Sequence, residues 1–182
     1  MKKVLLLICM MFPVLVMAQG QKGTVETCAP MKDGKVCYTD QVEMNGMTQA
    51  TLFEAVSKWA KKEYGRDVFL SNLSTNKKKG SIMVSSKMEL LLNETDKTMV
   101  KYKMSIQCKD NGYSIELKDL VYQYDPQNNK QFKTYPAEHV IASNGLSNTV
   151  AIIKDPKLFC NATFFMAEQI FSNVLDAAQE AE

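Results

Sequence analysis

This 182-residue chain has a single histidine, a single tryptophan, eight glycines and five prolines. Each scarcity removes a class of function. The lone His139 cannot build a multi-histidine metal site, and no local motif gives it a nucleophile and an orienting acid. It reads as an ordinary surface or loop residue. The few glycines form no phosphate cradle, and there is no P-loop, dinucleotide fingerprint or Gly-x-Ser-x-Gly elbow. No Cys-x-x-Cys is present, which argues against a thiol–disulfide oxidoreductase and against a structural zinc site. An excess of one charge is also missing, with 22 Lys and Arg against 20 Asp and Glu. No residue is assigned to catalysis, to a cofactor or to a metal on this basis, and the chain reads as a non-enzyme.

Long hydrophobic runs are missing too, except for one at the start. Lys2 and Lys3 precede an apolar run over 4–17, which ends at the small residue Ala18. This run is short for a membrane span and reads as a secretory signal peptide, residues 1–18, cleaved after Ala18. A lipoprotein alternative at Cys9 lacks the small residue before it, since Ile8 stands there. The mature chain would carry no transmembrane segment and would be periplasmic or secreted. Loss of Lys2 and Lys3 takes the 22 cations to 20, equal to the 20 acids. A neutral chain argues against nucleic-acid binding, which rests on clustered cations. The one basic run, Lys77-Lys78-Lys79, precedes Gly80 in an expected hairpin loop. Of the twelve methionines, Met1, Met10, Met11 and Met17 leave with the signal. Most of the other eight sit in strands, where methionine is an ordinary gap-filler.

Cys28, Cys37, Cys108 and Cys160 survive processing. An even number in an exported protein favours disulfides, with three possible connectivities. Cys28 and Cys37 flank an Asp33-Gly34 turn, so a local bridge is plausible there. Cys108 and Cys160 both read as core-facing and form the natural second pair. The alternative is that these two are only small buried apolar residues.

The chain is organised around residues 36–65. Val36, Tyr38, Val42 and Met44 share one parity, with Thr39, Gln41 and Glu43 on the other, which predicts a half-buried strand. Asn45-Gly46 supplies a turn and Thr48 an N-cap. Leu52, Val56, Trp59 and Ala60 then recur at helical spacing, and Gly65 closes the helix. Trp59 reads as core, with a ligand-stacking platform as the alternative.

Strands are expected over 67–73, 80–92, 98–108 and 113–124. The last two are joined by an Asp110-Asn111-Gly112 turn. The apolar parity shifts from Tyr113, Ile115 and Leu117 to Leu120, Tyr122 and Tyr124, which predicts a β-bulge near Lys118-Asp119. Residues 131–147 read as a short strand followed by a loop or partial helix. Asp155-Pro156 opens a last helix whose apolar stripe includes Phe159, Phe165, Met166, Ile170 and Val174. The expected fold is α+β: an antiparallel sheet in two layers, order β-α-β-β-β-β-α, with both helices on one face. Residues 19–35 form a leader or an N-terminal hairpin, and 36–182 a single domain.

In Met44-Asn45-Gly46-Met47-Thr48, Leu52-Phe53-Glu54-Ala55, Trp59-Ala60 and Asn111-Gly112-Tyr113, the chain resembles a Bacteroidetes family of secreted domains of unknown function with a TATA-binding-protein-like (TBP-like) fold. The resemblance covers roughly 36–124 and carries no activity with it. Fold does not fix function, so the fold name implies no DNA binding. A bacterial source would also make the sequons at Asn72, Asn93 and Asn161 chance matches.

Two kinds of binder follow. One takes a partner, an envelope protein or a glycan, on the helix-free sheet face. That face would carry Thr39, Gln41, Glu43, Lys101, Lys103, Ser105 and Gln107. The other holds a small ligand in a cavity between sheet and helices, lined by Tyr102, Tyr113, Phe165 and Met166. The oligomeric state is open.

Overall fold

The structure is a computed structural model that describes residues 29–126, 133–142 and 150–180. The expected signal peptide and Cys28, and with it a Cys28–Cys37 bridge, lie outside the described residues. In chain order the elements are β1 (Met31–Lys32), β2 (Lys35–Val36), β3 (Tyr38–Glu43), α1 (Gln49–Tyr64), β4 (Ser71–Asn76), β5 (Ser81–Leu91), β6 (Lys97–Lys109), β7 (Gly112–Tyr124), β8 (Lys133–Pro136), a 3-10 turn (Ala137–His139) and α2 (Pro156–Gln179). Strands β3-β7-β6-β5-β4 form one antiparallel sheet in that spatial order. β3 pairs with residues 112–117 of β7, and β8 continues the same edge along 121–124. Both helices pack on one face of the sheet, as the sequence predicts.

The β6–β7 turn holds the strand–turn–helix unit in place. The Asp110 carboxylate accepts from the Gln49 N–H at 2.8 Å, and Asn111 Oδ1 accepts from the Gly46 N–H at 2.9 Å. Backbone bonds from Met44 N–H to Asn111 O and from Asn111 N–H to Met47 O complete the clamp. Thr48 Oγ1 caps α1 by accepting from the Thr51 N–H. Asp155 accepts from the Lys157 N–H at the start of α2, with Pro156 in the first turn.

Alternate residues of β6, Val100 to Cys108, are buried against Leu52, Val56 and Ala60 of α1 and Phe159, Met166 and Ile170 of α2. Tyr122 packs edge-on against Phe159, with centroids 5.1 Å apart. The bulge lies where the parity shift places it. Lys101 pairs with Val121 and Lys103 with Lys118, so Asp119 and Leu120 share the place opposite Tyr102. Asp119 takes φ 53° there. A short polar side chain tolerates that left-handed conformation better than most.

Several expectations need correction. The strand placed over 67–73 is β4, which starts only at Ser71. Asp67 Oδ1 accepts from the N–H groups of Phe69 and Leu70, folding 67–70 into a turn whose apolar side chains face solvent. The β1–β2 hairpin, one of the two readings of the N-terminal stretch, and β8, the short strand expected after residue 131, both add to the expected element order. Asp33 and Gly34 turn that hairpin with φ 52° and 75°, both in the left-handed region favoured by two-residue hairpin loops. Phe165 is 68 % exposed, because the buried stripe of α2 runs through Thr163, Met166 and Ala167 instead.

No disulfide joins Cys108 to Cys160. Cys108 stands opposite Tyr113 at the hairpin end of the sheet, whereas Cys160 lies near Tyr38 and Tyr122. Tyr38 pairs with Leu117, four positions along β7 from Tyr113, or about 13 Å at about 3.3 Å per strand residue. A bridge needs Cα atoms within about 7 Å. Sharing the buried side does not put two cysteines at the same height along it.

Candidate functional site

The seven residues predicted for the open face do lie on the side away from the helices. Thr39, Glu116 and Ser105 form one cross-strand row, and Gln41, Ser114 and Gln107 the next. Two acids on this face are each held by two lysines. Glu116 pairs with Lys32 at 3.0 Å and with Lys118, and Asp119 with Lys35 at 3.1 Å and Lys103 at 2.9 Å. These hydrogen bonds hold both carboxyls below the usual carboxylate range. Lys32 and Lys35 come from the β1–β2 hairpin, so the same pairs pin that hairpin onto β7.

Beside Asp119 a groove of about 710 Å³ crosses β5, β6 and β7. Its cations are Lys35, Lys87, Lys101 and Lys103, set against the acids Asp119 and Glu138. Lys87 and Lys101 are direct cross-strand partners. Neither forms an ion pair among the described residues. Like charges in that relation repel. Phe69, 88 % exposed, adds an apolar wall. The alternation of β6 reveals Lys101 and Lys103 in the sequence. Lys87 and Lys35 were missed, because a lysine becomes part of a cluster only through strand register, which no local pattern encodes. Glu138 Oε1 accepts from the Val36 N–H, and His139 beside it is exposed.

The expected cavity between sheet and helices is not assembled as predicted. Tyr113 is buried across from Cys108, at the far end of the sheet from the others. Tyr102, Phe165 and Met166 do come together, in a groove of about 600 Å³ at the sheet margin between α1, α2 and β5. Trp59 lines it, half-buried and edge-on to Tyr64 at 5.6 Å. It is thus packed against the core and partly accessible at once. At the groove floor Tyr102 OH donates to Tyr64 OH at 3.3 Å, and burial pushes both phenols up. Among the described residues no cluster of three or more His, Cys, Asp or Glu has metal-site geometry, and no helix is long and apolar enough to cross a membrane.

Residues 38–123 match the family model described as a domain of unknown function (DUF4468) with TBP-like fold. The chain is similar to a TBP-like protein from Parabacteroides distasonis whose crystal structure is known. The two are 65 % identical, with a TM-score of 0.82, over 85 % of this chain and 99 % of that one. A DUF4468 family protein from Bacteroides ovatus shares the fold at 22 % identity, with a TM-score of 0.67, over 82 % of this chain and 90 % of that one. No curated protein matches. The matched span takes in β3, the first helix and the strands up to residue 123 of β7, and with the 65 % identical relative it shows that the chain belongs to the DUF4468 family of domains of unknown function with a TBP-like fold.

Proposed function

We propose that this protein is an exported, non-enzymatic binding domain of the cell envelope, whose helix-free sheet face takes a partner carrying acidic groups. The observation that carries the reading is the Lys87–Lys101 pair. The two like charges stand on directly opposite residues of neighbouring strands and line one groove, with no acid paired to either among the described residues. A carboxylate, sulfate or phosphate of the partner would turn that repulsion into attraction. Phe69 and Val121 would pack on the partner's apolar parts. A binding role fits the groove's chemistry, which is amines, hydroxyls and apolar groups around an Asp119 already held by two lysines. Export rests on the signal-like residues 1–18.

Titration calorimetry with poly-glutamate, a sulfated polysaccharide and neutral dextran tests the face. Binding of an acidic polymer that weakens with salt and vanishes in Lys87→Glu/Lys101→Glu supports it. Binding unchanged in that variant, or none to either acidic polymer, overturns it. Residues 1–18 fused to a reporter that is active only after export test the address.

A further inference from the structure

The second groove borders an unfinished sheet edge. β5 runs on to Leu91 and stays paired with β6 as far as Lys97. On its other side β4 stops where Ser71 meets Ser86, after one last bond from the Lys87 N–H to Leu70 O. The Asp67 turn then carries the chain away. In an antiparallel ladder the N–H and C=O of one residue point to the same side, and the side alternates along the strand. Lys87 points outward to Leu70, so Glu89 and Leu91 also present their backbone groups to that edge. Among the described residues no strand takes them. Behind the edge stand Met88, Trp59 and Phe165.

Exposed apolar side chains collect here. Seven large hydrophobics are exposed among the described residues. Leu70, Met88, Leu91 and Phe165 line this groove, and Val68 and Phe69 lead into Leu70 in the same turn. Phe69 lines the open-face groove instead, and Val68 and Met83 line neither. We propose that the outer edge of β5, from Lys87 to Leu91, receives an extended apolar segment of a protein partner as an added antiparallel strand. Its backbone pairs with Glu89 and Leu91, and its alternate side chains enter the groove between Trp59, Met88 and Phe165. The added strand continues the line that β4 abandons at Ser71.

The edge itself argues against a second copy of this chain. Symmetric antiparallel pairing of 87–91 sets Glu89 opposite its own counterpart, and like charges directly opposite destabilise a pair. Five residues span about 17 Å at about 3.3 Å each, which sets the length of the partner segment. This inference concerns the helix side of the sheet and does not rest on the open-face reading.

The test is selection of a displayed library of random heptapeptides on the protein, followed by amide hydrogen exchange with the enriched peptides. Enriched sequences should carry apolar residues at alternate positions. They should slow exchange at the Glu89 and Leu91 amides, and bind Phe165→Ser and Met88→Lys at least about tenfold more weakly, about 1.4 kcal/mol. Both substitutions are at exposed positions, and a thermal melt checks that each variant folds. No enrichment, undiminished binding to both folded variants, or slowing confined to other amides overturns the proposal. So does concentration-dependent protection of Glu89 and Leu91 without peptide, which would assign the edge to a second copy.

Discussion

Thr163 has no exposed surface, yet its hydroxyl is fully used. Its Oγ1 lies 2.7 Å from the Phe159 carbonyl, one turn back, and 2.6 Å from the Tyr122 hydroxyl. The carbonyl can only accept, so Thr163 donates to it and Tyr122 donates to Thr163. The two residues are therefore unequal in substitution. Thr163→Val leaves the Tyr122 hydroxyl buried with no acceptor, at about 1–3 kcal/mol, whereas Tyr122→Phe removes one bond for about 1 kcal/mol. Urea titration of both variants and the double variant should give that order, with the double variant recovering much of the Thr163→Val cost because no orphaned hydroxyl remains. Equal costs would mean the proton directions are wrong. Cys108 carries a second residue-scale prediction. Burial pushes its thiol up to about 11, so at neutral pH almost none is thiolate, the reactive form. Iodoacetamide should leave it unmodified in the native protein and label it on unfolding, as read by peptide mass mapping. Fast native-state labelling would contradict its buried position.

Between residues and the whole sheet, the hairpins decide most. Gly112 has φ 155°, and a Cβ there collides with the Val42 carbonyl of β3. Gly112→Ala should cost about 1–3 kcal/mol by denaturant unfolding, because both the backbone angle and the β3 ladder must give. Asp110→Ala removes only the carboxylate that receives the Gln49 N–H, and should cost about 1 kcal/mol. On the open face the expected sign reverses. Lys87→Glu replaces a repulsive pair with an attractive one across from Lys101 and should stabilise the sheet by about 0.2–1 kcal/mol. The same substitution should weaken acidic-polymer binding. A variant that gains stability while losing binding is what a site kept for recognition predicts, and a loss of both would point to a structural role for Lys87.

Over the molecule as a whole, exposed charge adds to the buried contact of Val36 in joining the N-terminal hairpin to the sheet. Lys118 and Lys32 hold Glu116 low, and Lys103 and Lys35 hold Asp119 low. The folded protein therefore releases these two protons more readily than the unfolded chain does. That stabilisation is fully present above the ordinary carboxylate range near about 4. It is lost as pH falls through the lowered folded values. Wild-type stability should fall between about pH 5 and about pH 3, and Glu116→Gln/Asp119→Asn should show a shallower fall over that window. The difference is expected to be modest, since exposed pairs contribute about 0–1 kcal/mol each. Parallel urea titrations at the two pH values measure it, and identical slopes would mean the pairs contribute nothing.

Much of the fold was legible because the signals are periodic and local. The alternation in β6, the Asn111-Gly112 turn, the Thr48 cap and the parity shift at Lys118-Asp119 each depend on neighbours a few residues apart. The start of β4 was misread because Val68-Phe69-Leu70 has strand-like composition, while the Asp67 carboxylate turns that segment. Phe165 was misread because α2 is apolar on most of its circumference, so composition alone does not choose the stripe that faces the sheet. The candidate sites were only partly legible. Lys101 and Lys103 announce themselves by parity, but their partners Lys87, Lys35 and Asp119 come from other strands.

Taken by itself, the sequence determined the alternation of strands and helices, their caps and turns, the bulge, and the polar character of one sheet face. Those properties follow from side-chain period and local hydrogen bonding, which act over a few residues. Only the tertiary structure decided that Cys108 and Cys160 stand too far apart to bridge, that two lysines are direct partners on β5 and β6, and that β4 ends early enough to leave the far part of the β5 edge without a strand among the described residues. Each of these depends on register and on the heights at which separate elements meet, and those are set by packing the whole sheet against two helices at once.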